Sequence, residues 1–149
     1  GVNIVSGSGN DTITLGLGVD VATGNGGSNI FVVNNGSTGL MVGTADTITD
    51  FQFGIDKLKL GLAGDVTVDT GNYVESSIGV EDYAAALSAA NSALNTLNNT
   101  SAATELYAFE YDSNLGYLFI DSDSDGAAED LIILSGVDST TISAGDIIA

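Results

Sequence analysis

Apolar and polar positions change rhythm several times along the chain, and each rhythm predicts a different element. From Ser6 the residues fall into a register of nine: SGSGNDTIT, LGLGVDVAT, GNGGSNIFV. Gly7, Gly16 and Asn25 align, then Gly9, Gly18 and Gly27, then Asp11, Asp20 and Asn29; each block closes on an apolar or β-branched run. A glycine-rich half followed by a strand half is the pattern of a stacked parallel solenoid. Glycine permits the positive φ of a tight turn, and one apolar residue per block (Ile13, Ala22, Phe31) points between two sheets. Two blocks make one coil, so like turns recur eighteen residues apart. Asp11 and Asn29 therefore stack on one edge. Asp20 lies on the other, where its partner is either a turn near Asn3 or a segment after Val33.

Beyond a polar, Gly-rich connector at 34–43, residues 45–53 alternate as a strand, with Ile48, Phe51 and Phe53 as apolar members. Gly54-Ile55-Asp56 turns the chain into Lys57-Leu58-Lys59-Leu60, again of period two. Residues 79–99 shift to helical spacing. Tyr83, Leu87, Ala90, Leu94 and Leu97 form one apolar stripe, Glu81 and Asp82 fall in the first turn, and Asn98 and Asn99 end it. Residues 105–111 return to alternation, with Tyr107, Phe109 and Tyr111 on one side, and 113–116 supply a turn. Apolar runs at 117–120 and 131–134 then flank an acidic loop. The predicted fold is mainly β: a short parallel β-roll at 1–33 continuing into a β-sandwich-like cap at 34–149, with one inserted α-helix over about 80–98. The 149 residues form a single domain.

Composition narrows the chemistry. A hydrophobic content of 44% provides a core and argues against disorder. No run approaches the roughly 20 apolar residues of a membrane span. Twenty acidic residues face only Lys57 and Lys59, for a net charge of −18. That charge repels nucleic acid and anionic lipid, and it strains a compact state unless cations neutralise it. With no His and no Cys, the usual zinc and haem sites, catalytic triads and thiol nucleophiles are excluded, and so are disulfides. Acid pairs of the glycosidase kind remain in principle, but the carboxylates cluster in turns at metal-like spacings. No enzymatic activity is expected of this chain.

Calcium takes six to eight oxygen ligands, and stacked turns supply carboxylates together with backbone oxygens. One ion is expected between turns 6–11 and 24–29, using Ser6, Ser8, Asp11, Gly24, Gly26 and Asn29, with Asp20 serving the opposite edge. A metal-free solenoid with ordinary turn aspartates is the alternative. A second candidate is the loop Asp121-Ser122-Asp123-Ser124-Asp125-Gly126-Ala127-Ala128-Glu129. Alternate aspartates before a glycine turn bring several oxygens to one point. It is not an EF-hand, since Ile132 stands where a bidentate Glu is needed and strands flank it. Its spacing is similar to the hairpin calcium loops of integrin-type propellers, which implies Asp121, Asp123, Asp125, the Ala127 carbonyl and Glu129 as ligands. A solvated turn is the alternative.

The nonapeptide matches GGxGxDxUx and resembles the RTX (repeats-in-toxin) family of calcium-binding secreted proteins. The stretch ADTITDFQFGIDKLKL, residues 45–60, resembles the segment that follows the repeats in serralysin-type proteases and other RTX exports. There it belongs to the cap, which implies that Asp46 and Asp50 help a calcium near the end of the roll; strand aspartates facing solvent are the alternative. The helix is similar to inserts of RTX adhesins and surface-layer proteins. Residues 143–149, SAGDIIA, resemble the C-terminal signal of type I secretion substrates. The resemblance implies a monomeric domain of a larger bacterial protein, secreted or held at the cell surface. Upstream repeats are expected before Gly1. Calcium is the expected cofactor and the type I secretion apparatus a transient partner, with no nucleic acid and no membrane insertion. The competing expectation is an adhesion or surface-layer module that binds a partner or lattice neighbour through its cap.

Overall fold

The computed structural model describes residues 1–149. In chain order the strands are β1 (Asn3–Val5), β2 (Thr12–Leu15), β3 (Val21–Thr23), β4 (Ile30–Val33), β5 (Asp46–Ile48), β6 (Lys57–Lys59) and β7 (Tyr73–Glu75). Helix α1 (Tyr83–Asn98) follows, then β8 (Leu106–Tyr111), β9 (Leu115–Asp121), β10 (Asp130–Ser135) and β11 (Ile147–Ile148). The nonapeptide register predicts the coil correctly. Asn3 pairs with Val21 and Thr12 with Ile30, both ladders parallel. Ile13, Ala22 and Phe31 are all buried between the sheets. Gly27 shows why glycine recurs there: its φ is 96°, and a Cβ would run into the Gly9 carbonyl of the turn below.

The parallel coil does not stop at residue 33. β5 stacks on β3, with Val21 opposite Thr47, and β6 stacks on β4, with Ile30 opposite Lys57. The segment read as cap strands is thus a third coil, lengthened by the connector between β4 and β5. The cap grows out of the same two sheets. β10 docks parallel on β5, β9 and β8 continue as an antiparallel meander, and β7 closes that sheet as β1-β3-β5-β10-β9-β8-β7. The opposing sheet runs β11-β6-β4-β2. One apolar core fills the space between them, from Ile13 and Phe31 through Ile48 and Leu58 to Tyr107, Phe109 and Ile132. A single twenty-residue cluster draws on both the roll and the strands that follow it.

Helix α1 covers the outer face of the meander. It begins at Tyr83 because Asp82 is its N-cap, accepting the Ala85 N–H at 2.9 Å. Ala86, Ala90 and Leu94 are fully buried against Leu106, Ala108, Phe119, Leu131 and Ile133. Tyr83, Leu87 and Leu97 from the predicted stripe flank this line, partly buried. Small alanines in the centre let the helix lie close to the sheet. No helix is long and apolar enough to cross a membrane.

Candidate metal centres

The turns on the first edge of the roll are tied together by bonds between coils. Ser6 Oγ donates to the Gly24 carbonyl (2.7 Å), and Asn25 Nδ2 donates back to the Ser6 carbonyl (2.6 Å). The Ser28 N–H donates to Asn10 Oδ1 (2.8 Å), and Gly26 lies over the Ser8 backbone. Asp11 and Asn29 do stack: the Asp11 N–H donates to Asn29 Oδ1 at 3.1 Å. One rung higher, the Asn29 N–H donates to Asp56 Oδ1 and the Gln52 N–H to Asp56 Oδ2, each at 2.8 Å. Asp50 accepts from Gly24 N–H (2.8 Å) and Asn25 N–H (2.7 Å).

These bonds test the fit to a cation. Asp11 Oδ2 is buried and has no hydrogen-bond partner, which suits a carboxylate oxygen that faces a metal. Asn29 fits less well. Its Oδ1 is engaged by Asp11, and the buried atom left without a partner is Nδ2, a donor that no cation satisfies. Asn29 is therefore a rung between coils. Sequence reasoning missed Asp56, whose position above Asn29 is masked by the lengthened third coil.

On the opposite edge Asp20 is 2% exposed; its Oδ1 accepts from the Val2 N–H (2.7 Å) and its Oδ2 from the Gly16 N–H (2.8 Å). Above it, Asp46 Oδ1 accepts the Asp20 N–H at 2.8 Å. Asp20 thus bridges both of the segments proposed for it, Val2 below and Asp46 above. Asp46 and Asp50 stand at opposite ends of β5, on different edges, so they do not share an ion. Burial pushes the Asp46 carboxyl up to about 6; the Asp20 N–H opposes this, and the carboxylates of Asp20 and Asp130 add to it.

The β9–β10 loop gathers Asp121, Asp123, Asp125 and Glu129, with one ligand oxygen from each lying within 4.8 Å of the others. Asp121 is fully buried and organises the turn, accepting from Asp125 N–H (3.2 Å) and Gly126 N–H (2.8 Å). Asp123 Oδ1 accepts from Asp125 N–H (3.2 Å), Asp125 Oδ1 from Ala127 N–H (2.9 Å), and Glu129 Oε2 from Ser122 N–H (2.8 Å). Positive φ at Ser124 (58°) and Gly126 (92°) makes the tight reversal. Burial, then the three aspartates, hold the Glu129 carboxyl above its ordinary range. Helix α1 anchors the loop: Asn91 Oδ1 accepts the Ala128 N–H (3.0 Å).

Against this acidic surface the chain has one ion pair, Lys57 Nζ to the buried Asp146 Oδ1 at 2.9 Å. Lys59 Nζ donates to the Ala149 carbonyl (3.0 Å), and β11 pairs with β6. The C-terminal segment is thereby built into the roll, with Ala144 and Ile147 buried.

A parallel coil of Gly-rich turns, carboxylates at coil spacing and an acidic hairpin define a β-roll of the calcium-binding kind. The family described as peptidase M10 serralysin C terminal matches residues 2–93, more than half of the chain, and the chain belongs to it. This is the non-catalytic C-terminal part of that peptidase family, an RTX-type, calcium-binding domain of secreted proteins. The match extends into α1 and does not favour the adhesin alternative. No curated protein matches the chain.

Proposed function

We propose that this chain is the region of a larger exported protein that keeps it unfolded in a calcium-poor cytosol and folds it on calcium outside. The observation that carries the reading is the buried, unpartnered Asp11 Oδ2 within stacked turns of a chain at −18. Asp11 and the carbonyls of 6–11 and 24–29 hold one ion, and Asp121, Asp123, Asp125, the Ala127 carbonyl and Glu129 hold another. A site at about a hundred times its Kd adds about 2.7 kcal/mol to the native state. Against typical domain stabilities of roughly 5–15 kcal/mol, two or three such sites decide whether the roll forms.

Residues 143–149 act as the secretion signal for a type I apparatus. Their burial and pairing in the native state support an order of events: the segment is readable only before the roll closes over it. Outside, β11 then docks on β6, and the domain remains monomeric. The test is far-UV circular dichroism with thermal melting from EGTA to about 10 mM calcium, the upper end spanning weak extracellular sites. Calcium-dependent folding, or a large rise in melting temperature, is expected. Full folding with unchanged melting in excess EGTA sinks the proposal.

A further inference from the structure

β7 is the outermost strand of its sheet and pairs only with β8. The Tyr107 N–H donates to the Asn72 carbonyl (2.7 Å) and the Ser76 N–H to the Phe109 carbonyl (3.0 Å), so the even-numbered residues turn their main chain toward β8. Strand alternation turns that of Tyr73 and Glu75 the other way. The Tyr73 N–H is met there by the Asp65 carbonyl (3.0 Å). Glu75 is met by nothing, and its N–H and carbonyl stand open on the edge.

Beside this edge runs an open groove of about 560 Å³, between β7 and residues 143–145. Val66, Val74 and Ala144 give it an apolar lining, and Val66 is 67% exposed. The Tyr73 hydroxyl donates to Glu75 Oε2 (2.7 Å) and holds that carboxylate at the groove, with Oε1 left for an incoming group. Asp65 and Asp69, both exposed, stand on the same loop as Val66. An unpaired strand edge beside an apolar groove is the arrangement that accepts an added strand.

We propose that the groove takes an extended strand of another protein, one that carries lysine or arginine among apolar residues and pairs with the free edge of β7. Charge selects this occupant. Acidic peptides, nucleic acid and anionic lipid are repelled by a chain at −18. A second copy of the chain is equally acidic and has no basic strand to offer. Lys57 is held by Asp146 and the Gly145 carbonyl, Lys59 by the Ala149 carbonyl, and both lie in β6 between β4 and β11. In the complex the incoming cation meets Glu75 Oε1, the apolar residues cover Val66 and Val74, and the added main chain satisfies the Glu75 N–H and carbonyl. The groove shares no residue with the candidate metal centres.

The calcium-saturated chain is titrated with a short blocked peptide of alternating valine and lysine, with its glutamate counterpart, and with a version methylated on every main-chain nitrogen. Methylation keeps the charge but removes the donors that strand addition needs. Amide NMR is the readout. The valine–lysine peptide is expected to slow hydrogen exchange at Glu75 and to shift the amides of Val74, Glu75 and 143–145, and the other peptides to do neither. Glu75→Lys is expected to weaken binding about tenfold or more. Glu81→Lys, an exposed reversal of the same charge outside the groove, is expected to weaken it about twofold or less. No binding, equal binding of the methylated peptide, or an equal loss in both charge variants overturns the proposal, the last two by showing diffuse attraction to an acidic surface. A dimer in sedimentation that Glu75→Lys abolishes assigns the groove to a second copy and overturns it too. Should Glu75→Lys fail to fold, Val66→Ser decides: binding about threefold weaker or more is expected, and unchanged binding overturns the groove.

Discussion

The roll edges and the β9–β10 hairpin both concentrate aspartates at turns, but they hold them by opposite means. In the roll the turn side chains are tied to N–H groups of another coil, with Asp20 and Asp56 also accepting one N–H from four residues back. Asn29 receives Asp11, Asp46 receives Asp20, and Asp56 receives Asn29, across 18 to 27 residues of sequence. In the hairpin, Asp121, Asp123 and Asp125 receive N–H groups only two to five residues away. The roll sites therefore exist only once coils have stacked, whereas the hairpin organises itself locally. Under the proposed export reading, the switch comes from the first kind of site.

The largest break in the comparison is Asp20→Ala. It leaves the Val2 and Gly16 N–H groups without acceptors inside the roll, a loss of roughly 3 kcal/mol for two bonds to a charged group. Urea unfolding in EGTA measures it. Gly27→Ala comes next: at φ 96° and against the Gly9 carbonyl, the new methyl costs about 2 kcal/mol and lowers calcium affinity at the Asp11 turn. Gly126→Ala, at φ 92° but facing the Asn95 side chain and Cα at 3.1–3.4 Å, is expected to cost less than Gly27→Ala. An equal loss at both positions breaks the claim that stacking makes the roll turns stricter. Asp123→Ala, at an exposed position, should change stability in EGTA by no more than about 0.5 kcal/mol. In calcium it should lose the hairpin's share of the melting-temperature rise.

The same division explains what could be read from the sequence. The turn glycines, Asp11 over Asn29, and the inward Ile13, Ala22 and Phe31 follow a nine-residue period, so their spacing alone carried the geometry. The hairpin loop was equally legible, being local. Asp56 was not: the connector lengthens the third coil, so Ile30 meets Lys57 rather than a residue eighteen on, and the register is lost to the eye. Asp130 carries no motif at all. It reaches the second edge only because β10 docks on β5, a tertiary event that no local period encodes. The helix start was set too early by about three residues because Asp82, read as a first-turn acid, is the cap itself.

A buried carboxylate outside both regions sharpens the comparison with the smallest effect. Glu110 is 4% exposed on the meander, its Oε2 has no partner, and burial raises its carboxyl above the ordinary range. Unlike the roll aspartates, it receives no N–H from a stacked coil, and burial outweighs the opposing Ser76 hydroxyl, so its burial is a net cost when ionised. The sign follows from linkage. Below the unfolded value of 4.5 both states hold the proton, and Glu110 is neutral in its effect. As pH rises through the higher folded value, the unfolded state releases its proton more readily, so folding stability falls and then levels off. Glu110→Gln should therefore melt with wild type below about pH 4 and above it at neutral pH. The comparison is made in EGTA, as the difference between variant and wild type, so that Asp46, titrating near 6, cancels. A Glu110→Gln variant less stable than wild type at pH 7 means that Glu110 finds a partner when ionised, and that burial alone does not separate it from the rungs of the roll.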